Sequence, residues 1–121
     1  MPKSTVDFTL TVTLKNNVPD FNYTQNGLPV TGSVVANESE IIRYLLVDQT
    51  GKELKFIGAA FDTPFDNVID NVNVSENGLE LQLLDLDKTP GKTGFRFILS
   101  SIGSNLLISS PDPQVVNRGQ D

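Results

Sequence analysis

A chain of 121 residues with fifteen acids against nine bases, a formal charge of −6, is the size of one domain and contains no histidine, cysteine or tryptophan. Those absences exclude a disulfide, the Ser-His-Asp and Cys-His constellations that need imidazole, and ordinary zinc or copper sites. The acidic balance and the scattered bases also argue against a phosphate-backbone partner, so no nucleic acid is expected.

No apolar run approaches the ~20 residues of a membrane-spanning helix, and Met1-Pro2-Lys3-Ser4 leads straight into strand-like sequence rather than an apolar leader. The expectation is a cytoplasmic chain with no membrane partner.

Val6, Phe8, Leu10, Val12 and Leu14 alternate with Asp7, Thr9, Thr11 and Thr13, the pattern of a strand with one buried and one wet face. Asn16 to Asp20 reads as the turn that ends it, with Pro19 as breaker. Phe21 to Thr24 is a short strand closed by Asn26-Gly27. Leu28 to Val35 follows, where Pro29 suggests an edge and Gly32 a bulge or close approach. Ile41 to Val47 is the most apolar run; it is short and ends in Asp48-Gln49-Thr50-Gly51, so it reads as a strand rather than a helix. Glu53 to Ile57 pairs back and stops at Gly58-Ala59-Ala60.

Phe61 to Asn67 is the longest irregular stretch. Val68 to Ser75 is a strand, and Asn77-Gly78 is a hairpin signal because both residues tolerate positive φ. Leu79, Leu81 and Leu83 alternate with polar residues, then the parity changes to Leu84 and Leu86, which reads as a β-bulge. Lys88 to Gly94 is a loop, Phe95 to Ser100 a strand, and Leu106 to Ser109 a last short one. The pattern predicts an all-β fold: an antiparallel two-sheet sandwich of seven to nine short strands over residues 1–110, followed by an extended tail at 111–121. The architecture is immunoglobulin-like without the cysteine pair or core tryptophan of that fold.

The chemistry left open belongs to carboxylates. Asp85 and Asp87 share a face of an extended strand roughly 7 Å apart, a spacing compatible with a glycosidase acid/base pair. The blander reading makes them solvent-facing acids opposite Leu84 and Leu86. Asp62, Asp66 and Asp70 in the irregular loop, with Asp85 and Asp87, could also donate oxygens to calcium, although no segment matches an EF-hand loop. Gly91-Lys92-Thr93 lacks the earlier glycine and the following helix of a phosphate loop and reads as a hairpin. The sequons at Asn22, Asn37 and Asn73 are about as many as chance supplies. Of the two tyrosines, Tyr44 reads as core and Tyr23 as the better candidate for a surface contact.

The tail carries Pro111, Asp112 and Pro113, stiff and extended, and then Val115-Val116, which could add to a sheet edge of this chain or of a neighbour. The run Ser110-Pro111-Asp112-Pro113-Gln114-Val115-Val116-Asn117, with Leu81-Gln82-Leu83-Leu84-Asp85 before it, resembles the DP-EP family. That resemblance implies a small bacterial β domain and brings no catalytic or binding residues with it.

The functional expectation is a non-enzymatic binding or assembly domain whose partner is another copy or another protein, with no cofactor. A lectin-like or calcium-assisted ligand binder and a small carboxylate-dependent hydrolase are the alternatives.

Overall fold

In the computed structural model, which describes residues 4–101, 104–111 and 113–117, the alternation at the N-terminus becomes β1 (Ser4–Lys15), burying Phe8, Leu10 and Val12. Asn16 and Asn17 both take positive φ, 52° and 65°, and make a tight two-residue hairpin into β2 (Val18–Gln25). The strand therefore resumes before Pro19 rather than stopping there. Pro19 is tolerated because it lies in the half of β2 that has no outer neighbour among the described residues: β3 (Leu28–Val30) covers only Tyr23 to Gln25. Asn26-Gly27, again both at positive φ, joins β2 to β3.

Gly32, at φ 82°, turns the chain from this sheet into the opposite one, where β4 (Val34–Ala36) begins. A Cβ there would lie 2.8 Å from the Tyr23 ring, so the close approach read from the sequence is real, and the neighbour is an aromatic face. Next, β5 (Glu40–Asp48) buries Ile42, Tyr44 and Leu46 and lies between two strands, which explains its apolar character. Asp48 organises the following turn by accepting from Thr50 N, Thr50 Oγ1 and Leu54 N at 2.9, 2.6 and 3.0 Å. Burial pushes its carboxyl up, but those donors outweigh burial and hold it below its ordinary value.

The strand β6 (Lys55–Phe61) does not stop at Gly58; a register shift between Phe56 and Gly58 carries it on to Phe61. After the irregular loop come β7 (Asn71–Val74) and β8 (Glu80–Asp85), paired antiparallel across a turn in which only Gly78 takes positive φ. Asn77 contributes its side chain instead, its Oδ1 accepting from Ser75 Oγ and Leu79 N. Then β9 (Gly91–Ser100) starts four residues earlier than its apolar pattern, because Gly91 to Gly94 pair with β11 (Gln114–Asn117). The short β10 (Leu107–Ser109) pairs with the other end of β9.

Two sheets result. One runs β3-β2-β1-β5-β8-β7; in the other, β9 has β6 on one side and β10 and β11 in succession on the other, with β4 beyond β11. The all-β sandwich stands as expected, with eleven strands among the described residues rather than seven to nine. The expected antiparallel arrangement is corrected: β1 pairs parallel with β5, and β4 with β11, so both sheets are mixed. The expected boundary at residue 110 is corrected as well. Val115, fully buried, sits opposite Val34 and Thr93, so this stretch is an inner strand and not a free tail.

Side chains from the two sheets meet in one core. Tyr44 of β5 lies edge-on to Phe97 of β9 with ring centroids 4.6 Å apart, stacks on Phe8 at 5.1 Å and stands edge-on to Phe95 at 6.2 Å. Its hydroxyl donates to the Gly32 carbonyl at 2.6 Å, and burial, then the neighbouring Tyr23, pushes its pKa well up. Tyr23 itself is buried between Tyr44 and Phe97. The surface contact expected of it is therefore corrected: Val12 and Leu10 of β1 pair with Phe21 and Tyr23, placing that face of β2 inward.

Candidate functional site

The acids singled out in the sequence do not form one centre. In the loop after β6, Asp66 accepts from Thr63 Oγ1 at 2.6 Å and from Val68 N at 3.0 Å, and Thr63 also bonds the Thr93 hydroxyl at 2.9 Å. Asp70 accepts from Leu86 N at 2.7 Å. Asp62 lies over Gly94, where an added Cβ would come within 2.5 Å of its Oδ2. Asp66 and Asp70 line a small cleft of about 200 Å³ with Phe61, Thr63 and Ile69. Both also hold backbone N–H groups in place, so the loop is ordered by its own carboxylates.

Asp85 and Asp87 point the other way from the expectation. The β-bulge and parity change predicted at Leu84 do not occur: Leu81, Leu83, Asp85 and Asp87 all face inward, while Leu84 and Leu86 are half-buried on the outer face. Neither acid is solvent-facing, and neither lines the loop cleft. Asp85 sits directly across from Glu40 in the β5–β8 register, and its Oδ1 accepts from Asp87 N at 2.9 Å. Burial raises the Asp85 pKa from an ordinary 3.8 to about 6. The Asp87 N–H and the Asn117 amide oppose that rise, and the charges of Asp87 and Asp70 add to it. Burial also raises Glu40, against a hydrogen bond from Ser4.

Asn117, at the end of β11, donates its amide to the Val68 and Thr89 carbonyls at 2.9 and 3.1 Å. Glu40 Oε1, Asp85 Oδ2 and Asn117 Oδ1 are buried without a partner among the described residues. This end of the sandwich is thus short of donors. Among the described residues, however, no group of three or more Asp, Glu, His or Cys converges to hold a metal ion. Asp70 links the loop acids to the buried ones, acting through its charge on Asp85.

The residues of the expected interaction tail divide. Pro113 is buried with its carbonyl accepting from Phe95 N, Val115 is core and Val116 is half-buried, while Asp112 lies outside the described residues. Pro111 opens onto an apolar groove of about 640 Å³ that it shares with Val18, Phe21, Arg96, Leu107 and Ile108. The groove runs between the uncovered half of β2 and β10, whose only pairing partner among the described residues is β9. Val18 is 62 % and Leu107 57 % exposed there. Sequence reading missed it because its walls lie some ninety residues apart; the available signal was the apolar run Leu106-Leu107-Ile108 at a place with no partner strand in sight.

No helix of the described residues is long and apolar enough to cross a membrane. No curated protein matches the sequence. Among solved structures, the chain is similar to the inclusion body protein PixA from Burkholderia cenocepacia J2315, at 9% identity and a TM-score of 0.40, covering 94% of this chain and 96% of that one. The model of the DP-EP family matches residues 5–119, almost the whole length, and the chain belongs to that family.

Proposed function

We propose that this chain is a non-enzymatic assembly domain that binds protein through the groove between β2 and β10, with another copy of itself as partner. The observation that carries the reading is the groove: the walls are two stretches of strand whose outer edges have no pairing partner among the described residues, and Val18 and Leu107 hold large apolar side chains in the open. The acids support it from the other side. Asp66 and Asp70 are committed to holding backbone, and Asp85 is sealed inside. A cysteine-free acidic chain suits a reducing, cytoplasmic setting.

Sedimentation velocity across a wide concentration series tests this. The wild-type mass rises above one chain as concentration increases, and Leu107→Glu, an exposed position whose change leaves the core intact, returns it toward one chain. A wild-type mass that stays at one chain throughout removes the self-assembly reading.

A further inference from the structure

Asparagine precedes glycine twice in this chain, at Asn26-Gly27 and Asn77-Gly78, and both pairs stand at turns. The pairing carries reactivity as well as a turn preference. With no side chain on the glycine, its backbone nitrogen is unhindered and can close a five-membered ring on the asparagine carboxamide. Whether it does so depends on how each carboxamide and each glycine N–H is held.

Asn77 is held. Its Oδ1 accepts from Ser75 Oγ at 2.7 Å and from Leu79 N at 3.0 Å, and the Gly78 N–H donates to the Ser75 carbonyl at 2.9 Å. Gly78 also lies against Lys55, whose Cβ stands 2.7 Å from where a Cβ on the glycine would be.

Asn26 is the opposite case. Both it and Gly27 are exposed, and nothing lies within 4 Å of a Cβ added at Gly27. Among the described residues, no hydrogen bond engages the Asn26 carboxamide or the Gly27 N–H. The two residues sit in a left-handed turn, φ 53° and 79°, which must open before the nitrogen can reach the carboxamide. That opening is cheap because β3, the strand that follows, is three exposed residues laid along Tyr23 to Gln25. Past β3 the chain is pinned again: the Gly32 carbonyl accepts from the Tyr44 hydroxyl, and Gly32 packs on the Tyr23 ring.

We propose that Asn26 is a site of spontaneous deamidation in the folded protein, and that its isoaspartyl product releases β3 from β2. The Gly27 nitrogen gives its proton to solvent base and attacks Asn26 Cγ; ammonia leaves and a succinimide forms. Water opens that ring at one carbonyl to give aspartate, or at the other to give isoaspartate. Either product adds a negative charge, and isoaspartate also adds a methylene to the main chain. A two-residue hairpin turn has no room for that extra atom, so the pairing of β3 is lost while the fold beyond Gly32 stays.

Storage of the native protein at mildly alkaline pH, followed by tandem mass spectrometry of its peptides, tests the site. Asn26 is expected to convert about tenfold or more faster than Asn77, where three hydrogen bonds must be given up. In urea the two rates are expected to converge. Asn77 keeping pace in the native protein, or Asn26 surviving there while it converts in urea, would overturn the assignment. Hydrogen exchange on the aged protein tests the consequence. Amides of Leu28 and Val30 are expected to lose protection while those between β1 and β5 keep theirs. Asn26→Gln, which would have to close a six-membered ring, is expected to age without either change. Unaltered protection at Leu28 and Val30 in protein carrying isoaspartate would show that β3 is not released.

Discussion

Tyr44→Ala is expected to cost about 4–5 kcal/mol, a large share of the ~5–15 kcal/mol that holds a domain of this kind together. The ring touches Phe8, Tyr23, Phe95 and Phe97, and so joins the two sheets at the centre of the core. Truncation opens a cavity among side chains that cannot all move in to fill it. It also strips the Gly32 carbonyl of its donor at the point where the chain passes from one sheet to the other. Tyr44→Phe separates these effects: the ring stays, the hydroxyl goes, and the expected cost falls to about 1–3 kcal/mol for one buried acceptor left unpaired. Urea unfolding followed by circular dichroism measures both. An alanine variant no weaker than the phenylalanine variant would show that the ring does not bridge the sheets.

The second large effect concerns pH. Asp85 is fully buried opposite Glu40, with Asp87 beside it and Asp70 near enough to act on its charge. Its pKa rises from 3.8 in an unfolded chain to about 6 in the folded one. Between those values the native state binds more protons than the unfolded state, so stability falls as pH rises through this window and is level above it. The full drop is about 3 kcal/mol. Glu40, also raised, acts in the same direction, with Glu38 and Asp87 adding to its rise after burial. Asp48, held low by its donors, acts oppositely but only at more acid pH, where its protonation removes stability as pH falls. Maximum stability is therefore expected near the lower end of the window, not at neutrality.

Asp85→Asn tests this with little change of shape. An amide oxygen can still accept from Asp87 N, and the amide nitrogen brings a donor to an end of the domain where Glu40 and Asn117 have acceptors unmatched. The variant is expected to be more stable than wild type by about 2 kcal/mol at pH 7.5, equal to it near pH 4, and flatter in between. Melting temperatures across that range decide the matter. Wild-type stability that climbs between pH 4 and 6, or an asparagine variant weaker at pH 7.5, would show that Asp85 is paired in some other way.

The sequence made the strands legible wherever burial follows hydrophobicity. The alternation around Leu10 and the apolar run around Tyr44 both describe strands, and the second is apolar because it lies between two others. Reading failed where burial and polarity part company. Leu84 and Leu86 look like core and are half-buried on the outer face, whereas Asp85 and Asp87 look like surface and are inside. The partners that decide this, Glu40 and Asn117, are tens of residues away, and no local pattern encodes them. Parallel pairing of β1 with β5 is invisible for the same reason. The groove was hidden twice over, since one wall follows a turn that seemed to end a strand and the other precedes a stretch that seemed to be a tail.

Hydrogen exchange at several protein concentrations tests the central claim most directly, because it reads where copies touch. The groove account predicts that amides of the uncovered part of β2, at Val18 and Phe21 to Asn22, and of β10 at Leu107 to Ser109 gain protection as concentration rises. The outer strand β7 should stay as it is. Groove amides that exchange at the same rate at every concentration, or protection that appears at β7 instead, would contradict it.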